Sequence, residues 1–260
     1  MMIAGLQLDI AWEDPDTTFD RARVLADEAV AGGSRLLVLP ETFATGFSMR
    51  AAAMAAHAPA VRRFVAELAH RHGVWILAGL AEPGATRPAN AYSLVDPAGV
   101  EVLHGHKVHP FSLVREVDHY ESGDTVATAE VEGVRLTPLI CYDLRFVELF
   151  RAAADTTDCF VVIANWPSSR DHAWRTLLAA RAIDCQAFVL GVNRVGDAEG
   201  HPHRGHTTLL DPLGEVMSTL ADRQGVVAGD VDPTRVAEIR ARYPFLRDRR
   251  PEVYRRLDLD

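Results

Sequence analysis

Twice along the chain a short apolar run, a stretch of helical spacing and a second short apolar run follow one another, and few folds accept that order. Met2 to Ile10 alternates like a strand, Thr17 to Val30 sets Phe19, Val24, Leu25 and Ala29 at helical spacing before Gly32 and Gly33, and Arg35 to Leu39 is a short apolar strand ending at Pro40 and Glu41. Pro59 to His72 is a second helix (Val61, Phe64, Val65, Leu68) stopped by Gly73, and Val74 to Gly79 a further buried strand. After it, Asn90 to Val95 and Val100 to Lys107 flank Asp-Pro-Ala-Gly, a turn sequence that predicts a hairpin.

The second half repeats the theme. Strand Val134 to Ile140, helix Leu144 to Ala153, strand Phe160 to Ala164, helix His172 to Gln186 and strand Phe188 to Val192 follow in order, and a hairpin at Asp211 to Gly214 joins Thr207–Leu210 to Val216–Leu220. Two βα-rich halves with antiparallel additions predict a layered α/β sandwich rather than one doubly wound sheet. No linker-like tract interrupts the 260 residues, so a single domain over 1–260 is expected, with 240–260 as a docking segment in which Tyr243, Pro244, Phe245 and Leu246 pack between arginines.

Charge narrows the function. A net charge of −9 opposes a general affinity for nucleic acid, whose phosphates need a basic face. No uncharged run reaches the roughly 18 residues of a membrane helix, and the N-terminus lacks a basic region followed by an apolar stretch. Three cysteines do not make a disulfide framework, so a reducing cytoplasm is the expected compartment.

Three polar residues stand where apolar strands end: Glu41, Lys107 and Cys141. The C-terminal ends of strands in α/β sheets collect ligands and catalytic groups, and here they supply a carboxylate, an ammonium and a thiol. The carboxylate can take the thiol proton, and the ammonium can hold charge that develops on a carbonyl oxygen. Cys141 also precedes a helical segment whose positive end would favour thiolate. Cys159 and Cys185 read as structural. His104, His106 and His109 form one histidine group and His201, His203 and His206 another. His104 and His106 share a strand face, but neither group has the spacing of a known metal motif.

The segments LPETFATGF around Glu41, HGHKVHPF around Lys107 and LICYDLRF around Cys141 resemble the three signature motifs of the nitrilase (carbon-nitrogen hydrolase) superfamily, from residue 3 to about residue 250. The resemblance implies a four-layer αββα sandwich, a Glu-Lys-Cys triad, homodimers or higher homo-oligomers, and neither metal nor organic cofactor. It implies a mechanism in which Cys141 attacks an amide carbon, Glu41 acts as base and then acid, Lys107 and the Tyr142 N–H hold the oxyanion, and water releases a thioester. Glu116-Val-Asp-His-Tyr120-Glu-Ser-Gly123 is similar to a pattern that carries a second site glutamate. Glu116 is its candidate, with Glu121 as the competitor.

Within the superfamily, PETFATGFSM, CYDLRF, ANWPSSRDHAWRTLLAARAIDCQAF and GVNRVG resemble the omega-amidases, which implies a small carboxylate-bearing amide of the 2-oxoglutaramate or 2-oxosuccinamate type as substrate. An N-carbamoyl amino acid hydrolase or aliphatic amidase is the alternative. Nitrile-acting members carry tryptophan after the cysteine, where this chain has Tyr142. Such a substrate needs apolar walls and a cation: Phe43, Phe47, Trp166 and Trp174 are candidates for the first, and Arg145, Arg170, Arg175 and Arg194 for the second.

Overall fold

The computed structural model describes residues 1–257. In chain order its elements are β1 (Met2–Gln7), α1 (Pro15–Ala31), β2 (Leu36–Val38), α2 (Ala51–Ala55), α3 (Ala58–His72), β3 (Trp75–Glu82), β4 (Ala89–Val95), β5 (Glu101–His106), β6 (Ala129–Val131) and β7 (Val134–Ile140). There follow α4 (Val147–Ala153), β8 (Cys159–Ala164), α5 (Asp171–Cys185), β9 (Phe188–Asn193), β10 (Val195–Ala198), β11 (His201–Leu210), β12 (Val216–Ala221), β13 (Gly225–Asp230), α6 (Pro233–Arg242) and α7 (Pro251–Arg256).

Both expected βαβ halves form. In one sheet, ordered β13-β1-β2-β3-β4-β5, strands β1, β2 and β3 are parallel and the rest antiparallel. The other, ordered β10-β11-β9-β8-β7-β6 with β12 on β11, has β7, β8 and β9 parallel. Strand alternation sends neighbouring residues into different cores. On β8, Val161 and Ile163 face the first sheet, where they meet Val38 and Leu77, whereas Phe160 and Val162 pack under Phe150, Trp174 and Leu178 of α4 and α5. On the first sheet, Leu6, Leu37, Ile76 and Ala78 pack under Phe19 of α1 and Phe64 of α3. The result is helix, sheet, sheet, helix: the four-layer αββα sandwich.

The differences from the sequence expectations are local. The helix expected from Leu144 begins instead at Val147, because Cys141–Arg145 is a separate 3₁₀ turn. Strand Thr207–Leu210 is the second half of a longer strand starting at His201. β10 and β13 escaped the sequence reading: each pairs with an element that pattern alone does not disclose, β13 with β1 at the far end of the chain. In the C-terminal segment, Arg240 donates to the carbonyls of Thr157, Cys185 and Gln186, and Leu246 packs on the α4–α5 core, while Phe245 is exposed. Residues 258–260 of the expected docking segment lie outside the described residues. No helix among the described residues is long and apolar enough to cross a membrane.

Candidate active site

Four strand ends converge. Glu41 lies just past β2, Lys107 follows β5, Cys141 follows β7 and Asn165 follows β8. The chain must pass very close to β3 to bring Glu41 in, and Gly79 permits it: a Cβ there would lie 2.6 Å from both the Glu41 Cα and the Pro40 carbonyl oxygen.

Glu41, Lys107 and Glu116 are fully buried and bonded together. Lys107 Nζ donates to Glu41 Oε1 at 3.0 Å and to Glu116 Oε2 at 2.9 Å, and stands 4.8 Å from the centre of the Phe47 ring. Asn90 Nδ2 donates to the same Glu41 oxygen at 2.8 Å and to Glu116 Oε1 at 3.1 Å. Glu41 Oε2 accepts the backbone N–H of Asn165 at 2.8 Å, and Asn165 Nδ2 donates to the Glu41 carbonyl. Burial would raise the Glu41 carboxyl, but the Lys107 ammonium and these donors hold it below its ordinary value. Burial likewise opposes the Lys107 charge, and Glu116 with Glu41 overcomes it, holding the ammonium well above its ordinary range.

Cys141 sits in the left-handed region at φ 47°, where a non-glycine residue is strained. The turn is held by Asp143, whose buried carboxylate accepts the N–H of Ile140 at 3.2 Å and of His109 at 2.9 Å. One side chain therefore ties the cysteine turn to the segment after Lys107. Burial pushes the Cys141 thiol well above its ordinary value, the neighbouring Glu41 carboxylate pushes the same way, and Lys107 opposes them only in part. The segment directly after Cys141 is a 3₁₀ turn rather than the helix expected there, so the helix field expected to favour thiolate is missing at the sulfur, and burial and Glu41 both act against the thiolate.

The thiol opens into a cavity of about 570 Å³ lined by Phe47, Lys107, Phe111, Tyr142, Arg145 and Trp166 among others. Arg145 stacks over Trp166 at 5.0 Å and Arg170, also on the wall, over Phe111 at 5.1 Å. The other candidates for the substrate wall are elsewhere. Phe43 packs between Phe19 and Phe64 in the helix-side core, and Trp174 is on the buried face of α5 with its Nε1 on the His206 carbonyl. Arg194 is buried with its guanidinium on the carbonyls of Ile10, Val195 and Asp197, so it braces loops. Arg175 reaches Asp171 on the surface of α5. Cys159 and Cys185 are fully buried in the cores.

The glutamate ambiguity is resolved in position. Glu116 joins Lys107, whereas Glu121 accepts the backbone N–H groups of Ala85, Thr86 and Arg87 at the surface, bonds that hold its carboxyl at about 2. The spacing of that segment has a physical basis. Tyr120 Oη donates to the Ser48 carbonyl and its ring stacks on Phe47, and the Gly123 N–H donates to the Lys107 carbonyl at 2.7 Å, where a Cβ would strike His106.

The family model described as carbon-nitrogen hydrolase matches residues 2–241. The chain belongs to this family. As a carbon-nitrogen hydrolase it is 34% identical to the omega-amidase YafV of Escherichia coli (strain B / BL21-DE3), over 95% of this chain and 96% of that one. It is 30% identical to the 2-oxoglutaramate amidase of Bacillus subtilis (strain 168), over 97% and 98%. A carbon-nitrogen hydrolase superfamily protein of Xanthomonas campestris, whose crystal structure carries an arsenic adduct in the active site, superposes with a TM-score of 0.90 at 33% identity, covering 96% of this chain and 97% of that one. Amide hydrolysis is the reaction type this membership assigns to the enzyme.

Sequence reasoning missed Asn90, Asp143 and Asn165. Asn165 carried the same signal as Glu41 and Cys141, a polar residue ending an apolar strand. Asn90 and Asp143 carried none beyond being polar near apolar strands.

Proposed function

We propose that this carbon-nitrogen hydrolase cleaves the terminal amide of a small 2-oxo acid of the 2-oxoglutaramate or 2-oxosuccinamate type. The observation that carries the reading is the thiol facing a buried carboxylate–ammonium pair at the base of a cavity whose wall holds Arg145 and Arg170, besides Arg50, which pairs with Glu13. Similarity over nearly the whole chain to an omega-amidase and a 2-oxoglutaramate amidase supports it. The cavity is large enough to admit a small linear amide, and a guanidinium binds a carboxylate through paired hydrogen bonds.

In this reading Glu41, already ionised, takes the proton from Cys141 as the sulfur attacks the amide carbon. The oxyanion forms between Lys107 Nζ and the N–H of Tyr142, at the start of the 3₁₀ turn where backbone donors lack partners within the turn. Glu41 returns the proton to nitrogen, ammonia leaves and a thioester remains. Water enters, gives a proton to Glu41 and attacks the thioester; collapse releases the acid and returns the proton to sulfur. Glu116 holds Lys107 in place and, with Glu41, keeps it charged. Glu116→Gln is accordingly expected to lower kcat by about 10- to 100-fold, on the scale of losing a hydrogen bond to a charged group, and Glu121→Gln to leave kcat unchanged. Steady-state ammonia release checks both.

The substrate is tested by ammonia release from 2-oxoglutaramate, 2-oxosuccinamate, glutamine, asparagine, an N-carbamoyl amino acid and propionamide. The oxo-acid amides should have the highest kcat/KM; preference for the carbamoyl compound or for propionamide would replace this reading with the other. Arg145→Met or Arg170→Met, whichever holds the carboxylate, should raise KM for the oxo-acid amides about 10- to 100-fold through the lost charged hydrogen bonds and leave propionamide unaffected.

A further inference from the structure

On the outer face of the first sheet, away from the cavity, a second group of chemistry-bearing side chains meets. His104 and His106 alternate on edge strand β5 and so project from one face, while Glu82 ends β3 on the far side of β4. On that face β4 presents Ala89, Ala91 and Ser93, all small, so side chains from its two neighbours reach one another over it. Glu82 Oε1 is 2.6 Å from His104 Nε2 and 2.9 Å from His106 Nε2. Among the described residues this is the one group of three metal-ligating side chains whose donor atoms all lie within 4.8 Å of one another.

The surroundings are arranged around the carboxylate. Glu82 is buried, and its second oxygen pairs with Arg62 of α3; Arg62 also pairs with Glu101, which accepts from Ser93 Oγ at 2.5 Å. Burial would raise the Glu82 carboxyl, yet hydrogen bonds from both imidazoles bring it to about 2, so it is fully ionised. The two imidazoles are 34% and 27% exposed, so solvent reaches both rings.

We propose that Glu82, His104 and His106 form a binding site for a divalent transition-metal ion of the zinc class. Two imidazole nitrogens and one carboxylate oxygen are a donor set suited to zinc, with water in the remaining position. Arg62 supplies the outer hydrogen bond that orients a ligating carboxylate and leaves Oε1 free for the ion. On binding, the ion takes the place of the protons between Glu82 and the imidazoles, which pass to solvent. The ion would join β3 to β5 across β4. Lys107 leaves β5 directly after His106, so the site braces the strand end that delivers the lysine.

The test uses the full chain carrying Cys141→Ala, which removes a thiol that would itself bind zinc, after stripping with chelator. Zn²⁺ is titrated by calorimetry and Co²⁺ by its visible absorption. One equivalent should bind per chain, with tetrahedral or five-coordinate Co²⁺ intensity. Adding His104→Ala and His106→Ala should weaken Zn²⁺ binding by about 100-fold or more, at or beyond the upper end of what losing an outer hydrogen-bond partner does. Glu82→Gln, close in size, should weaken it in the same direction with an unchanged circular dichroism spectrum. Equal affinity in the double-histidine variant, or no binding to the parent chain, would overturn the proposal and leave the group an ion-pair network only.

Discussion

Cys141→Ala is expected to stop ammonia release from every amide in the panel while the circular dichroism spectrum and melting curve stay those of the parent. The loss should be on the order of 10⁶-fold, the scale seen when a covalent nucleophile is removed from a set that acts as a unit. In the proposed mechanism the sulfur is the attacking atom, yet removing it removes little packing, because the thiol borders the cavity rather than filling a core. Cys159→Ala and Cys185→Ala make the contrast. Both side chains are fully buried in the cores, so each substitution should cost about 1 kcal/mol in urea unfolding and leave kcat near that of the parent.

Lys107→Met should damage activity and stability together. In the proposed mechanism it removes one oxyanion donor, a loss of about 10²- to 10³-fold in kcat. In addition, Glu41 and Glu116 would face each other without their shared cation, at sites fully closed to solvent. Removing one partner from such a buried ionic group costs about 3–5 kcal/mol, measurable by urea denaturation at neutral pH. The sign of the pH dependence follows from the direction of each shift. Glu41 is depressed in the fold, so its contribution to stability is present above the unfolded carboxylate pKa and lost as pH falls through the lowered value. Lys107 is raised, so its contribution is complete below the unfolded lysine pKa and lost as pH rises through the raised value. In Lys107→Met one carboxylate takes up a proton, and the acid limb of the rate profile should move to higher pH. A pH–rate profile of the variant's residual activity checks this directly.

What could be read in the sequence and what could not divides along the range of the interactions. The elements of the βαβ units, and the three motifs that stand at strand ends, are each written in stretches of fewer than twenty residues, where periodicity and strand-end position suffice. The choice between Glu116 and Glu121 lay beyond such a reading, since both fall in the same segment and differ only in which partner each meets: the Lys107 ammonium for one, the backbone N–H groups of residues 85–87 for the other. Phe43 and Trp174 looked like pocket aromatics because they neighbour motif residues, but strand and helix geometry turns them into the two outer cores. Arg194 follows a strand end as Lys107 does, and the carbonyls of its near neighbours Val195 and Asp197 and of the distant Ile10 capture it. The expectation of a thiolate rested on a helix starting after Cys141, where the chain forms only a 3₁₀ turn; burial first, and then the Glu41 carboxylate, push the thiol upward.

The most direct test of the Glu41–Lys107–Cys141 chemistry is the mass of the protein, quenched in acid within one turnover of mixing with 2-oxoglutaramate and then mapped by peptide. The expected result is one acyl group on Cys141, present in the parent chain and missing from Cys141→Ala. An acyl group on Cys159, Cys185 or any other residue, or full turnover by Cys141→Ala, would contradict it.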